Sequence, residues 1–270
     1  MSDADRLRSV LFVPGTRPDR LAKALSAGAD AVVVDLEDAV AATDKDAARR
    51  TALRALQEVQ RPADLLLLVR VNPVGSAWFA DDVAVARRAD GAMLPKYQQP
   101  DELAELRDGL GSGVIFVGLE TGRGVADSRA LLAAPVPPDG AYFGAEDYIA
   151  DLGGRRSADG DEVLYARSQV CLAAHLAGVA AVDQAVADVG DDERFRADAE
   201  RGRALGYAGK ICIHPRQVAL ANEAFSPSAQ EVAHAKAVLD ASAAGVAVIN
   251  GQMVDDVHVR MARRLLAPGK

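Results

Sequence analysis

Residues 31–38 read AVVVDLED, and this stretch decides the fold class. Its apolar residues follow one another without the polar alternation of a half-exposed strand, and acidic residues come at its end. Residues 65–72, LLLLVRVN, have the same form. Strands of parallel sheets are covered on both faces and therefore have such continuous apolar runs. The stretch predicts a buried parallel strand that ends in polar side chains.

Short apolar runs of this kind recur along the chain, and amphipathic helical stretches lie between them. This is the pattern of βα units around a parallel sheet. There are eight runs, at residues 9–14, 31–37, 65–72, 91–96, 113–120, 141–147, 181–188 and 208–214. Eight units fit an α/β fold of the (β/α)8 TIM-barrel type, in which catalytic groups gather at the C-terminal strand ends. A doubly wound open sheet has similar units, but their number favours the barrel.

The chain beyond His214 does not continue this pattern. Helical spacing over residues 228–241 and a basic helical stretch over residues 257–266 flank the run GVAVINGQMVDD. We expect a TIM-barrel catalytic domain over residues 1–225 and a C-terminal helical extension over residues 226–270. A length of 270 residues also fits two smaller domains, so this division depends on the pattern of elements and not on length.

The composition limits the classes of partner. Lys and Arg number 31 against 39 Asp and Glu, and the formal net charge of −8 repels nucleic-acid phosphates. Aromatic residues make up 4% of the chain, which is too few for stacking on single-stranded bases. We expect no nucleic-acid partner, although a local basic pocket for one anionic ligand is compatible with this charge. Cys171 and Cys212 lie in apolar surroundings without metal-ligand spacing, as buried reduced thiols do.

The sequence gives no signal for a membrane or for export. The first residues, MSDADRLRSVLF, lack the long apolar stretch of a signal peptide. The most apolar later region, residues 170–182, is too short to span a bilayer and contains His175. We expect a cytoplasmic protein without a membrane partner.

Two carboxylates follow neighbouring strands of the predicted barrel. Glu120 ends one run in VGLETGRG, and Asp147 ends the next in FGAEDYIADLG. Adjacent strands would bring both to the same rim. Magnesium commonly takes one or two protein carboxylates and completes its coordination with water and substrate. Acidic residues are common in this protein, so the alternative is that the two residues have no metal-binding role. Their position at the ends of two neighbouring strands favours a Mg²⁺ site.

Arg70 ends the third run, in LLVRVNP. Its planar guanidinium matches a substrate carboxylate, and its alternative role is a structural ion pair with Glu37 or Asp38 at the end of the second run. Both roles are compatible because a positioned carboxylate orients the arginine, so we expect all three residues at the substrate site. Lys96 ends the fourth run, where an electrostatic or packing role is more common than a Schiff base.

Two other groups of residues lie at the predicted rim. Arg17 and Arg20 lie in VPGTRPDR after the first run, and Lys23 follows shortly after it. These residues could bind the phosphates of a nucleotide-like carrier, although a solvated helix face is the ordinary interpretation. His214 ends the eighth run in GKICIHPRQV. A general base is one interpretation, and a histidine that orients the loop before Pro215 is the one we favour.

The motifs together resemble those of the citrate lyase β-subunit-like family, within the HpcH/HpaI aldolase superfamily. They occur in the family's order and extend from Val10 to Asp255, so the resemblance covers nearly the whole chain. The motifs are SVLFVPG, VVVDLEDAV, LVRVN, MLPK, LETGRG, FGAEDYIADLG, YARS, GKICIHP and INGQMVD.

The resemblance implies roles for individual residues. Glu120 and Asp147 correspond to the family's magnesium ligands, and Arg70 to the arginine that binds substrate oxygens. Asp255 matches an aspartate that acts as acid or base, placed by the C-terminal segment in the active site of a neighbouring subunit. This implies a homo-oligomer, a trimer or a hexamer. Lys23 and Arg17 fall where relatives contact the phosphates of the carrier.

The resemblance also implies an activity. The family contains magnesium-dependent lyases that cleave a short 3-hydroxyacyl thioester, such as citryl-, citramalyl- or malyl-CoA, into an acyl thioester and a 2-oxo acid such as oxaloacetate. The carrier is coenzyme A or an acyl-carrier protein. The alternatives are a malyl-type thioesterase and an HpcH-type aldolase of free 2-oxo acids, which generally lacks the GQMVD segment. Phe12 departs from the family, since some relatives have a tyrosine there that contacts the carrier.

Overall fold

Eight parallel strands close into a barrel in a computed structural model, which describes residues 7–242, 247–249 and 252–267. Each strand pairs with its neighbours in sequence, and β1 pairs with β8 to close the ring. The α/β TIM-barrel prediction is confirmed. The barrel strands are β1 (Ser9–Pro14), β2 (Ala31–Asp35), β3 (Leu66–Arg70), β4 (Gly91–Leu94), β5 (Val114–Leu119), β6 (Gly140–Phe143), β7 (Ala180–Asp183) and β8 (Gly209–Cys212).

Helices follow the strands and form the outer layer of the barrel. In chain order the helices are α1 (Pro18–Leu25), α2 (Lys45–Glu58), α3 (Phe79–Ala86), α4 (Pro100–Leu110), α5 (Gly122–Ala126), α6 (Ser128–Leu132), α7 (Ala145–Asp151), α8 (Asp161–Ala177), α9 (Asp192–Leu205), α10 (Pro215–Ala224), α11 (Ala229–Ser242) and α12 (Asp256–Leu266).

The strand β2 shows why its sequence is apolar without alternation. Ala31 and Val33 belong to the apolar cluster that fills the barrel. Val32 and Val34 belong to the cluster between the strands and the outer helices. All four are at most 2% exposed because both faces of the strand are covered.

His214 has a structural role at the start of α10. Its Nδ1 accepts a hydrogen bond from the Arg216 backbone N–H at 3.2 Å, so the side chain caps the helix. Pro215 occupies the first helical position, where its fixed φ and missing N–H cost nothing. The favoured interpretation of His214, as the residue that orients this loop, agrees with the structure.

A buried charge network joins β7 and β8 to the outer helices. Lys210 is fully buried, and its Nζ contacts Asp183 Oδ2 at 2.9 Å and also pairs with Asp198. Arg167 of α8 donates from Nε to Asp183 Oδ1 at 2.8 Å and from Nη1 to Asp198 Oδ1 at 3.0 Å. Every charge in the network has a partner of opposite sign, as burial requires.

The C-terminal region has an apolar cluster of its own. β9 (Ala247–Ile249) and β10 (Gln252–Val254) form an antiparallel pair, and α11 packs against α12. The predicted extension thus contains a short hairpin besides its two helices; Asn250 and Gly251 of INGQMVD lie outside the described residues. The cluster consists of Ala235, Val238, Val254, Val259 and Ala262.

Within residues 7–242, 247–249 and 252–267, none of the helices combines the length and the apolarity that crossing a bilayer requires.

Replacing Lys210 by Met should lower the free energy of unfolding by about 3 kcal/mol, because Asp183 and Asp198 would each lose a buried cation. Urea denaturation of the purified protein measures this. The matched control is Arg216→Met, which removes an exposed ion pair with Asp192 at 2.8 Å and should cost less than about 1 kcal/mol. Equal costs for the two variants would contradict a structural role for the buried network.

Candidate active site at the C-terminal end of the barrel

Glu120 lies directly after β5 and is 1% exposed. Its Oε1 accepts hydrogen bonds from the Lys96 backbone N–H at 2.8 Å and from the Tyr142 hydroxyl at 3.1 Å. Burial raises the pKa of Glu120 above its ordinary value. Within residues 7–242, 247–249 and 252–267, no donor reaches the other oxygen, Oε2. One oxygen of this buried carboxylate is therefore held, and the other is open to a ligand.

Asp147 lies in the first turn of α7 and not at the end of a strand, which corrects the sequence prediction. β6 ends at Phe143, and Gly144 leads into the helix. A Cβ atom on Gly144 would lie 2.0 Å from Glu120 Oε2, so only glycine allows the turn to pass this close. Lys96 contacts both carboxylates, and the Asp147 charge contributes to the raised pKa of Glu120.

Lys96 connects the carboxylates at this end of the barrel. Its backbone has φ of 52°, which is rare outside glycine, and its N–H points at Glu120. Its Nζ forms a close ion pair with Glu37 and lies 3.3 Å from Asp147 Oδ1. Burial lowers the pKa of Lys96, but the neighbouring carboxylates outweigh it and raise the pKa above its ordinary value. Lys96 therefore carries a charge, as the predicted electrostatic role requires.

Arg70, the last residue of β3, is held by a set of acidic partners. Its Nε and Nη2 donate to Asp35 Oδ1 and Oδ2 at 2.8 and 2.6 Å, and its Nη1 lies 3.0 Å from Glu37 Oε2. Asp38 is farther away, at 4.0 Å. The ion pair with Glu37 was predicted, whereas Asp35 was missed, although β2 and β3 pair these two residues in register. These three contacts do not use all the N–H groups of the guanidinium, so the remaining N–H groups are available to a ligand.

The guanidinium also has an aromatic neighbour. The Phe12 ring lies under Arg70, with 5.2 Å between the ring centroid and Cζ. A cation is attracted to an aromatic face, so the Phe12 ring adds a favourable contact to those that Arg70 makes with Asp35 and Glu37. The residue that departs from the family pattern thus contacts the predicted substrate-binding arginine.

Glu37 is 3% exposed and contacts both cations of the site. Burial raises the pKa of Glu37 to about 7, and Arg70 and Lys96 oppose that rise. Asp38, the next residue, is exposed and lies 3.5 Å from Lys96 Nζ.

The donor set fits a hard cation of the magnesium type. Among the described residues no cluster of three or more His, Cys, Asp and Glu has the arrangement of a complete metal site. Magnesium does not need one, because it binds through one or two carboxylates and keeps several waters. Five carboxylates lie here and outnumber the nearby cations, which are Arg70, Lys96 and Lys45. A further cation would therefore reduce their mutual repulsion. The carboxylates are Asp35, Glu37, Asp38, Glu120 and Asp147.

Arg17 lies beside this end of the barrel, because α1 begins shortly after β1 ends, and Lys23 lies in the last turn of α1. Both are exposed. Arg17 pairs with Asp19 at 2.8 Å, and this contact lowers the pKa of Asp19 to about 2. An anionic ligand at Arg17 would therefore compete with the Asp19 carboxylate.

Asp255 lies in the C-terminal region and caps α12. Its Oδ1 accepts from the Val257 N–H at 2.9 Å and lies 2.7 Å from His258 Nδ1. The His258 contact lowers the pKa of Asp255. Its side chain is exposed, and its contacts within the described parts of the chain are to its own helix. The structure of one chain therefore does not bring Asp255 together with Glu120 and Arg70.

Comparison with known proteins places the chain in a family. The model of the HpcH/HpaI aldolase/citrate lyase family matches residues 8–215, which contain all eight barrel strands. The chain belongs to this family. It is 49% identical to a citrate lyase subunit beta-like protein of Deinococcus radiodurans over 97% of this chain and 96% of the relative.

The chain is also similar to proteins with other named activities and ligands. A (3S)-malyl-CoA thioesterase of Cereibacter sphaeroides is 34% identical over 98% of this chain and 95% of that protein. The crystal structure of CitE from Mycobacterium tuberculosis in complex with magnesium, acetoacetate and coenzyme A has a TM-score of 0.85, 36% identity and 96% coverage of both chains. Similarity therefore extends beyond the residues matched by the family model into the C-terminal region.

Proposed function

We propose that this family member is a magnesium-dependent carbon–carbon lyase. Its substrate would be a short 3-hydroxyacyl thioester such as citryl-, citramalyl- or malyl-CoA, and its products an acyl thioester and a 2-oxo acid. The observation that carries the proposal is that Lys96 contacts both Glu120 and Asp147, while Glu37 contacts both Lys96 and Arg70, at one end of the barrel. The CitE complex with magnesium, acetoacetate and coenzyme A supports the same ligand classes here.

Glu120 and Asp147 would hold the Mg²⁺ ion. Glu120 offers Oε2, because Oε1 already accepts two hydrogen bonds. Asp147 is 30% exposed, so its carboxylate faces water and an incoming substrate. Bound Mg²⁺ supplies electrostatic stabilisation of the oxygen charge that develops when the carbon–carbon bond breaks. The Lys96 ammonium group would remain beside Asp147 as a positive charge, and its backbone N–H would hold Glu120.

Arg70 would bind the carboxylate of the hydroxy-acid half through its remaining N–H donors. Asp35 and Glu37 hold the guanidinium rigidly, so little side-chain freedom is lost when substrate binds. Cleavage breaks the bond between the hydroxyl-bearing carbon and the thioester α-carbon. The hydroxyl loses its proton as it becomes the carbonyl of the 2-oxo acid, and the α-carbon gains one. Glu37 and Asp38 complete the substrate site around Arg70.

Asp255 would move the proton at the thioester α-carbon, as acid in cleavage and as base in condensation. Since its contacts in one chain are to α12, we propose that it reaches the barrel of a neighbouring subunit. This requires a homo-oligomer, a trimer or a hexamer, in which residues 1–225 form the catalytic barrel. Residues 226–270 would act as an extension that completes the adjacent site.

The thioester carrier would bind beside α1. Arg17 and Lys23 are exposed cations at the start and in the last turn of α1, and they would contact the phosphates of coenzyme A or of an acyl-carrier protein. Phe12 contributes no hydroxyl to the carrier and instead contacts Arg70. The coenzyme A in the related CitE complex supports coenzyme A as the first carrier to test.

A malyl-type thioesterase is the second candidate function, and the relative from Cereibacter sphaeroides favours it. In that case the same site would direct water to the thioester carbonyl. The products then differ, because hydrolysis releases free thiol and the intact hydroxy acid.

The proposed activity predicts that malyl-, citramalyl-, methylmalyl- or citryl-CoA yields a 2-oxo acid without free thiol. Phenylhydrazone formation measures the oxo acid, and a colorimetric thiol reagent measures hydrolysis. Release of thiol without oxo acid would show that the enzyme is the thioesterase and not the lyase.

Asp255→Asn should lower turnover by about 10²-fold or more while Mg²⁺ affinity is retained, because only the proton transfer is removed. Wild-type turnover in Asp255→Asn would remove this residue from the mechanism.

A mixing experiment tests the shared active site. Asp255→Asn and Glu120→Gln should each be inactive, and co-expression with two affinity tags should give mixed oligomers that are active. Every mixed trimer joins an intact barrel to an intact Asp255 at one of its three sites, so about a third of wild-type activity is expected of the doubly purified trimers. Mixed oligomers no more active than the separate variants would place Asp255 outside the neighbouring site.

A further inference from the structure

Tyr142 lies inside the barrel directly beneath the candidate site. It is 1% exposed and belongs to the interior apolar cluster with Phe116 and Val182. Its hydroxyl donates to Glu120 Oε1 at 3.1 Å. Burial raises the pKa of Tyr142 well above its ordinary value, so the phenol is protonated and remains a donor. A buried aromatic ring thus ends in a polar group aimed at a predicted metal ligand.

The neighbouring strand leaves room for this hydroxyl. Gly118 of β5 is paired in register with Tyr142 of β6. A Cβ atom at position 118 would lie 2.4 Å from the Tyr142 hydroxyl oxygen and 2.7 Å from Glu120 Oε1. Both distances are too short for real contacts, so the hydrogen bond depends on a glycine at this position. Tyr142, Gly118 and Glu120 therefore fit together as one unit.

Two donors converge on the same carboxylate oxygen from different directions. The Lys96 N–H reaches Oε1 at 2.8 Å from the end of β4, and the Tyr142 hydroxyl reaches it from inside the barrel. A carboxylate held in this way cannot rotate freely about its terminal bond. Its second oxygen, Oε2, faces the turn at Gly144 that leads to Asp147.

We propose that Tyr142 is a positioning residue for the metal ligand Glu120, acting with the Lys96 N–H to hold Oε1 and leave Oε2 to the cation. The inference rests on the proposed function, in which Glu120 binds Mg²⁺. Groups that orient a ligand from outside the coordination sphere commonly change metal affinity about 10- to 100-fold when removed. Tyr142 touches neither metal nor substrate in this role and acts through Glu120.

The test replaces Tyr142 by Phe, which keeps the ring in the barrel and removes the donor. Mn²⁺, a spectroscopic substitute for Mg²⁺, is titrated into the purified protein, and free Mn²⁺ is measured by electron paramagnetic resonance. The dissociation constant should rise about tenfold, because the carboxylate loses one of its two fixed donors. The Mg²⁺ concentration for half-maximal turnover should rise in parallel, with a smaller change in kcat at saturating Mg²⁺.

Tyr207→Phe is the matched control. Tyr207 is also buried, and its hydroxyl donates to the Arg167 carbonyl oxygen at 2.7 Å, in the layer between strands and helices. This variant removes an equivalent buried phenol hydroxyl outside the site, so its Mn²⁺ affinity should equal that of the wild type.

Gly118→Ala is a second, independent variant. The added methyl group would displace the Tyr142 hydroxyl, so Mn²⁺ binding should weaken. The loss should be smaller when Gly118→Ala is made in the Tyr142→Phe protein, since the displaced hydroxyl is already absent there.

The outcomes separate this inference from the proposed function. Wild-type protein that binds no Mn²⁺ would overturn both. Wild-type protein that binds Mn²⁺, together with unchanged affinity in folded Tyr142→Phe, would overturn only the positioning role. Equal losses in Tyr142→Phe and Tyr207→Phe would also overturn it, because the effect would then follow from any lost buried hydroxyl.

Discussion

The negative charge buried at the C-terminal end of the barrel is the constraint on which the site depends. Glu120 and Glu37 are almost fully shielded from water, and burial raises the pKa of both. A buried carboxylate is stable only when it is hydrogen-bonded, paired or bound to a cation. Arg70 and Lys96 satisfy part of this need. The open oxygen of Glu120 is the part that we assign to a metal ion.

The local structure around this charge is correspondingly rigid. The left-handed backbone at Lys96 turns an N–H towards Glu120, and Gly144 lets α7 begin against the same carboxylate. Asp35 and Phe12 fix the Arg70 guanidinium from two sides. Preorganised groups of this kind stabilise developing charge without rearranging during the reaction. A fixed arrangement of charges thus links the fold to the proposed chemistry.

Much of this could be predicted from the sequence because the signals are local. Continuous apolar runs such as residues 31–34 define strands covered on both faces, and the polar residues after them mark one rim. Other features depend on contacts distant in sequence. The partners of Arg70 include Asp35, which lies within the predicted strand of residues 31–37. Tyr142 lies within the predicted strand of residues 141–147, and nothing in the sequence indicates its contact with Glu120. Asp147 follows a strand so closely that the sequence did not show the helix start before it. Asp255 had no signal of its own beyond the family resemblance.

The central claim is that Glu120 and Asp147 bind one divalent cation together. Crystals of the protein grown with Mn²⁺ and measured at a wavelength near the manganese absorption edge test it directly, because anomalous scattering locates the ion independently of the protein atoms. The account predicts one strong peak at the end of the barrel, within bonding distance of Glu120 Oε2 and an Asp147 oxygen. A peak elsewhere, or carboxylates that turn away from each other around an empty site, would contradict it.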